Sequence, residues 1–245
     1  TGSDTGPGRF PETWRILEEF HHMVGENADL LGRKILVTAG GTREPIDPVR
    51  YIGNRSSGKQ GYGIAQAAVA RGAEVRLIAA NCNLPDIEGV AITRVETASE
   101  LEAAMDQHFD WCDVLVMCAA VADAKPTHRI NKKIKKGALT SIELELTPDL
   151  LKKAVTKRKA GQVIVGFAAE TQDHVVNAET KLREKGVDLL YVNDVSDGAI
   201  FGSENTRGTV ISRDGTVITV SEGRKETLAN VLLDQVQNRL SLPNV

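Results

Sequence analysis

The chain has 245 residues, 41% of them apolar and 4% aromatic, and a net charge of −3. That length and apolar share support one large domain with a sizeable core, and the near-neutral charge removes any global attraction to nucleic acid or anionic membrane. No apolar run approaches membrane-spanning length, no signal peptide opens the chain, and Cys82, Cys112 and Cys118 lack C-x-x-C spacing, so a cytoplasmic protein with reduced thiols is expected.

Residues 1–11, rich in Gly, Pro and small polar residues, read as a linker, and 12–245 as the domain. Apolar residues at helical spacing predict a first helix over 12–24. An apolar strand follows at 34–37, then a polar loop, then a helix over about 58–71 closed by Gly72. A second strand is expected at 74–79, and a short helix at 99–108 with Ser99 as its cap. Residues 114–121 are apolar throughout and read as a strand buried on both faces. An exposed strand at 142–146 precedes Thr147-Pro148-Asp149, which reads as a helix start with Thr147 as N-cap. Further strands are expected at 163–167 and 189–192, with a helix over 173–185 between them. Alternation around Asp214-Gly215 predicts a hairpin over 208–220, and 225–240 reads as a closing amphipathic helix. This order of strands and helices means an α/β, Rossmann-like, doubly wound and mainly parallel sheet with a C-terminal β-hairpin.

The polar loop at 38–61 is the most informative stretch. A Gly- and Ser-rich turn feeding a helix leaves amide N–H groups pointing outward, and with the helix dipole these make an anion site. Gly53-Asn54-Arg55-Ser56-Ser57-Gly58-Lys59 fits the first seven positions of a P-loop, but Gln60 stands where Ser or Thr should hold magnesium, and about a dozen residues separate the loop from its strand. A P-loop NTPase is therefore rejected. A glycine turn that only closes strand–helix packing is the plain alternative.

In open α/β sheets ligands sit beyond the carboxyl ends of the strands. Polar groups or glycines recur there: the loop after the first strand, Asp123 after the third, Gly166 to Glu170 at the fourth, and Asn193-Asp194 after the fifth. Asp123 reads either as a turn or cap residue or as a ligand for magnesium bridging phosphates. The basic run at 132–136 lacks interleaved aromatics, so it is either a solvated face or a clamp for a triphosphate. Lys181 and Lys185 share a helix face, which by itself reads as an exposed edge. No G-x-S-x-G or Tyr-x-x-x-Lys occurs, and the second strand ends at Asn81 without the acidic residue that holds an NAD ribose.

These motifs together resemble the bacterial CTP-dependent phosphopantothenate–cysteine ligases, also called phosphopantothenoylcysteine synthetases, over about residues 34–240. The residues that carry the likeness are Thr38-Ala39-Gly40-Gly41-Thr42 with Gly53 to Lys59, Ala119 to Asp123, Lys133 to Lys136, Gly166 to Thr171, and Asn193-Asp194. Thr147-Pro148-Asp149 stands where many members have Asn-Pro-Asp. The resemblance implies a homodimeric enzyme of coenzyme A biosynthesis. In that family CTP activates the carboxylate of 4′-phosphopantothenate as an acyl-cytidylate with release of pyrophosphate. The amine of L-cysteine then displaces CMP. The resemblance implies Asn54 and Lys133 as catalytic residues. It implies CTP contacts at Met117, Cys118, Ala119, Asp123, Lys133, Thr147, Pro148, Asp149, Leu150, Phe167, Lys181 and Lys185. Gly41, Asn54, Ser56, Ser57 and Gly58 are expected to hold substrate or phosphate, and Asp123 magnesium or manganese. Asp4 to Arg9 resembles the end of the flavin-dependent decarboxylase that precedes this domain in bifunctional proteins, so a fused decarboxylase is expected, with no flavin on this chain. An NAD(P)-binding reductase and a non-catalytic nucleotide-binding module are the competing readings.

Overall fold

The computed structural model describes residues 29–170, 182–194 and 205–241, together with Thr13, Ile16 and Thr180. The expected linker, most of the first helix, most of the 173–185 helix and Lys181 lie outside the described residues. In chain order the elements are β1 (Lys34–Gly40), β2 (Arg43–Pro45), β3 (Tyr51–Gly53), α1 (Lys59–Ala70), β4 (Glu74–Ala80), β5 (Ala91–Val95), α2 (Ala98–His108), β6 (Val114–Met117), β7 (Ala124–Pro126), β8 (Leu144–Leu146), α3 (Leu150–Thr156), β9 (Val163–Glu170), β10 (Leu189–Asp194), β11 (Asn205–Ser212), β12 (Val217–Arg224) and α4 (Lys225–Leu240).

Eight strands form the main sheet in the order β12-β11-β10-β9-β6-β1-β4-β5. β5, β4, β1, β6, β9 and β10 run parallel. Numbered among themselves along the chain, these six stand in the order 3-2-1-4-5-6, that of dinucleotide-binding sheets, with the strand order reversing between β1 and β6. The 208–220 hairpin extends this sheet antiparallel to β10, turning at Gly215 with φ 90°.

Apolar runs in the strands follow from burial on both faces. Along β1, Ile35, Val37 and Ala39 join α1 and the α4 residues Leu228, Leu232 and Val236 in one core. Leu36 points the other way, into a second core with Leu101, Met105, Leu115, Ile164 and Leu190. α1 lies close on β1 because Gly61 has no side chain, and a Cβ there would come within 2.6 Å of Ala39 Cβ. Gly72, at φ 83°, ends this helix as expected.

Of the boundaries that differ from the sequence reading, three have a visible physical cause. The strand expected over 114–121 stops at Met117. There the Cys118 amide turns back to Val116 O at 3.1 Å, and Thr38 Oγ1 and Thr42 Oγ1 accept from the amides of Ala119 and Ala122, both at 3.0 Å. Side-chain hydroxyls thus take bonds that a strand ladder would have made. α2 is capped by Thr97, not Ser99: Thr97 is extended, and Glu100 three residues on completes a capping box. α3 is capped by Asp149, whose carboxylate accepts from Lys152 N at 3.0 Å, while Thr147 N donates to Asp123 O at 2.9 Å. An ionised acceptor near the positive helix end outcompetes a hydroxyl. β5, the β2–β3 pair and β7 lack the strong apolar pattern that made the other strands legible, while β8 falls within the exposed strand expected at 142–146.

Candidate active site

The loop after β1 is built on close backbone approach. Gly40 and Gly58 have φ of 87° and 81°, a region that side-chain-bearing residues rarely adopt. A Cβ on Gly40 would fall on the carbonyl oxygen of Ala80, and one on Gly58 would fall on Cys82 Sγ. Gly58 is the N-cap of α1 and supplies no side-chain cap, so the start of this helix is a candidate anion site. Gly53 lies under Thr42 O, and Gly41 faces the backbone of Asn54, whose carbonyl a Cβ would meet at 3.1 Å.

Asn81 follows β4 in the left-handed conformation, φ 53°. Its side-chain amide donates to Gly41 O and Glu96 O, both at 2.9 Å, which ties the loop to the neighbouring strand end. The buried Glu44 carboxylate accepts from Ala98 N at 2.9 Å and fixes the other side. Neither role was visible in the sequence, because each depends on carbonyls or amides brought near by folding. Asn54 Nδ2 donates to Val121 O at 3.2 Å, which links the polar loop to the segment after β6.

Beside the reversal point opens a crevice of about 900 Å³. Gly53, Asn54, Arg55 and Ser56 form one wall, and Met117 and Ala119 to Asp123 form the floor. Leu146 to Leu151 form a second wall, closed by Phe167, Ala168, Ala169, Lys185 and Leu190. Three of the four expected strand-end segments therefore share one cavity with the start of α3, while Asn193-Asp194 is outside its described lining. Gly41, Ser57, Gly58, Cys118 and Lys133 are outside its described lining. Lys133 is exposed on the loop between β7 and β8.

Charge in the crevice is arranged around Asp149. Lys185 Nζ pairs with its Oδ2 at 2.6 Å. Although partial burial works against ionisation, the Lys185 hydrogen bond and the Lys152 amide hold the Asp149 carboxyl below its usual value. Thr147 Oγ1 is buried without a protein partner, so it is available to a ligand in the cavity. Phe167 packs against Tyr191 with ring centroids 5.3 Å apart, and the Tyr191 hydroxyl lies 3.0 Å from Thr206 Oγ1. Burial pushes the Cys82 thiol up to about 11 and that of Cys118 to about 12, so neither is a nucleophile at neutral pH.

The chain is 46% identical to the coenzyme A biosynthesis bifunctional protein CoaBC of Mycobacterium tuberculosis, over 96% of this chain and 60% of that protein. It is 38% identical to the Escherichia coli protein of the same name, over 98% of this chain and 60% of that one. Among solved structures it is similar to the C-terminal domain of a CoaBC, with a TM-score of 0.75 and 38% identity, over 87% of this chain and 98% of that one. The chain thus spans about 60% of the length of the curated relatives it matches. Residues 30–240 match the model of one family, and the chain belongs to it: the DNA/pantothenate metabolism flavoprotein C-terminal domains.

Proposed function

We propose that this chain is a phosphopantothenate–cysteine ligase of coenzyme A biosynthesis, using CTP and L-cysteine. The observation that carries the reading is the single crevice at the strand ends, which gathers Asn54, Asp123, Thr147, Phe167 and Lys185 in a chain 46% identical to a CoaBC protein. A carboxylate oxygen of 4′-phosphopantothenate attacks the α-phosphorus of CTP, the P–O bond to the leaving group breaks, and pyrophosphate departs. The cysteine amine then attacks the acyl carbon, loses a proton, and expels CMP. Negative charge grows on phosphate oxygens in the first step, so fixed cations are the main catalytic need. Lys185 meets it from the crevice wall by exchanging its Asp149 partner for phosphate, and Lys133 meets it from the β7–β8 loop. Asn54 turns its amide from Val121 O to the acyl-cytidylate. Met117, Cys118 and Ala119 with Thr147 to Leu150 and Phe167 hold the nucleotide, and Lys181 joins Lys185. The helix start at Gly58 and the loop residues Gly41, Ser56 and Ser57 take the phosphate of phosphopantothenate.

Among the described residues no group of three or more His, Cys, Asp or Glu would hold a metal ion alone. Asp123 at the crevice floor fits magnesium or manganese that takes its remaining ligands from phosphate and water, the usual manner for magnesium. Such an ion would neutralise charge on the triphosphate. A homodimer, with the β11–β12 hairpin as part of its surface, and a fused flavin-dependent decarboxylase complete the proposal.

The test is pyrophosphate release with CTP, magnesium and phosphopantothenate before cysteine is added, followed by CMP release on its addition. Nucleotide binding without pyrophosphate would leave a non-catalytic module. Nicotinamide binding instead, read by fluorescence, would favour a reductase.

A further inference from the structure

Asp47 is a buried carboxylate that the reaction scheme does not use. It lies in the turn between β2 and β3, its side chain wholly shielded from solvent. Oδ1 accepts from the amides of Val49 and Arg50, both at 2.8 Å, a local turn of the kind Asp makes before proline. Oδ2 accepts from Arg50 Nη1 at 2.9 Å and from Ile134 N at 3.2 Å. The last bond spans 87 residues of sequence. Beside it, Ile130 N donates to Ile46 O at 3.0 Å. The β7–β8 loop is thus fastened at two points to one corner, and Lys133 sits between them. The same corner leads through β3 directly into Asn54.

We infer that Asp47 is a positioning residue that sets Lys133 relative to Asn54 by clamping the Ile134 amide. The inference rests on the ligase reading for the role of Lys133, but the clamp itself does not. Lys133 is exposed, so its own side chain does little to fix its backbone. A carboxylate already held by two local amides and a guanidinium is a rigid acceptor, and a loop bonded to it inherits that rigidity. Asp47→Asn removes the Ile134 bond together with the Arg50 ion pair, and comparison with Arg50→Met isolates the former. Asparagine keeps the oxygen that serves Val49 and Arg50 but presents an NH₂ group toward the Ile134 amide.

The experiment has two arms. In the first, pyrophosphate release is followed in wild type, Asp47→Asn, Lys133→Ala and the double variant. Asp47→Asn is expected to lower kcat about tenfold to a hundredfold, the value of a hydrogen bond to a charged group, with KM for CTP within about twofold. The double variant is expected to be no slower than Lys133→Ala alone. Arg50→Met, which removes the ion pair but keeps all three amide bonds, is expected to leave kcat within about threefold. In the second arm, trypsin is used under native conditions. Cleavage within the 132–136 lysines is expected to speed up about tenfold in Asp47→Asn while the thermal midpoint stays within a few degrees. Multiplicative losses in the double variant, or unchanged cleavage of the loop, would overturn the inference. Absence of pyrophosphate release in wild type would overturn the ligase reading, and the trypsin arm would still decide the clamp.

Discussion

Between β1 and α1 the chain is held by atoms in direct contact. Gly40 fits under Ala80 O, Gly58 over Cys82, and Asn54 is bonded to Val121 O. Between β7 and β8 the chain is held at a distance, through Asp47 and Ile46, while its lysines stay exposed. The first loop has little conformational freedom left to lose on binding, whereas the second must order its side chains around the ligand. The proposed phosphate and acyl contacts accordingly fall on the first loop, and the proposed cation that answers charge at the α-phosphorus on the second.

The comparison breaks most visibly at Lys133. Lys133→Ala is expected to slow pyrophosphate release about a hundredfold or more without altering the thermal midpoint, and Asn54→Ala to spare that step and impair cysteine transfer. Equal loss in both steps for both variants would erase the division between the loops. Gly40→Ala is expected to cost about 3 kcal/mol or more, because a left-handed conformation and a backbone clash coincide, and to lower Tm by roughly 6–12 °C. A variant as stable as wild type would show that the first loop is not built on close approach.

Acid should act on both anchors. The Asp47 carboxyl, which burial alone would raise, is held below its usual value by the amides of Val49, Ile134 and Arg50 and by the Arg50 charge, and Asp149 is likewise held low. A carboxyl depressed in the fold stabilises it above the unfolded value, 3.8, and that stabilisation is lost as pH falls through the lower folded value. The acid unfolding curve of Asp47→Asn should therefore be shallower below about pH 4 than that of wild type, and superimposable curves would contradict the anchor. Lys185→Met is expected to raise KM for CTP about fivefold to tenfold and to change stability by less than about 1 kcal/mol, since the Asp149 pair is solvent-exposed. The smallest effect is at Cys82: with its thiol near 11, about one part in a thousand is thiolate at pH 8, so iodoacetamide should leave it unmodified in the folded protein.

Periodicity and punctuation determined much of this molecule. Runs such as Val114 to Met117 and Val163 to Phe167 are apolar because helices cover both faces of the sheet, and Gly72 and Gly215 mark turns that only glycine adopts readily. The strand ends carrying Asn54, Asp123 and Phe167 were legible for the same reason, that ligands gather where parallel strands end, whereas Thr147 and Lys185 entered the expected site only through the family resemblance. Tertiary structure alone decided where the third strand stops, which residues cap α2 and α3, and that Lys133 lies outside the crevice lining. It alone revealed Asp47, Asn81, Thr38 and Thr42 as the residues that fasten the rim. Local pattern follows from each residue's own preference. A hydrogen bond such as Asp47 to Ile134 exists only once distant segments have been brought together, and no local pattern encodes that encounter.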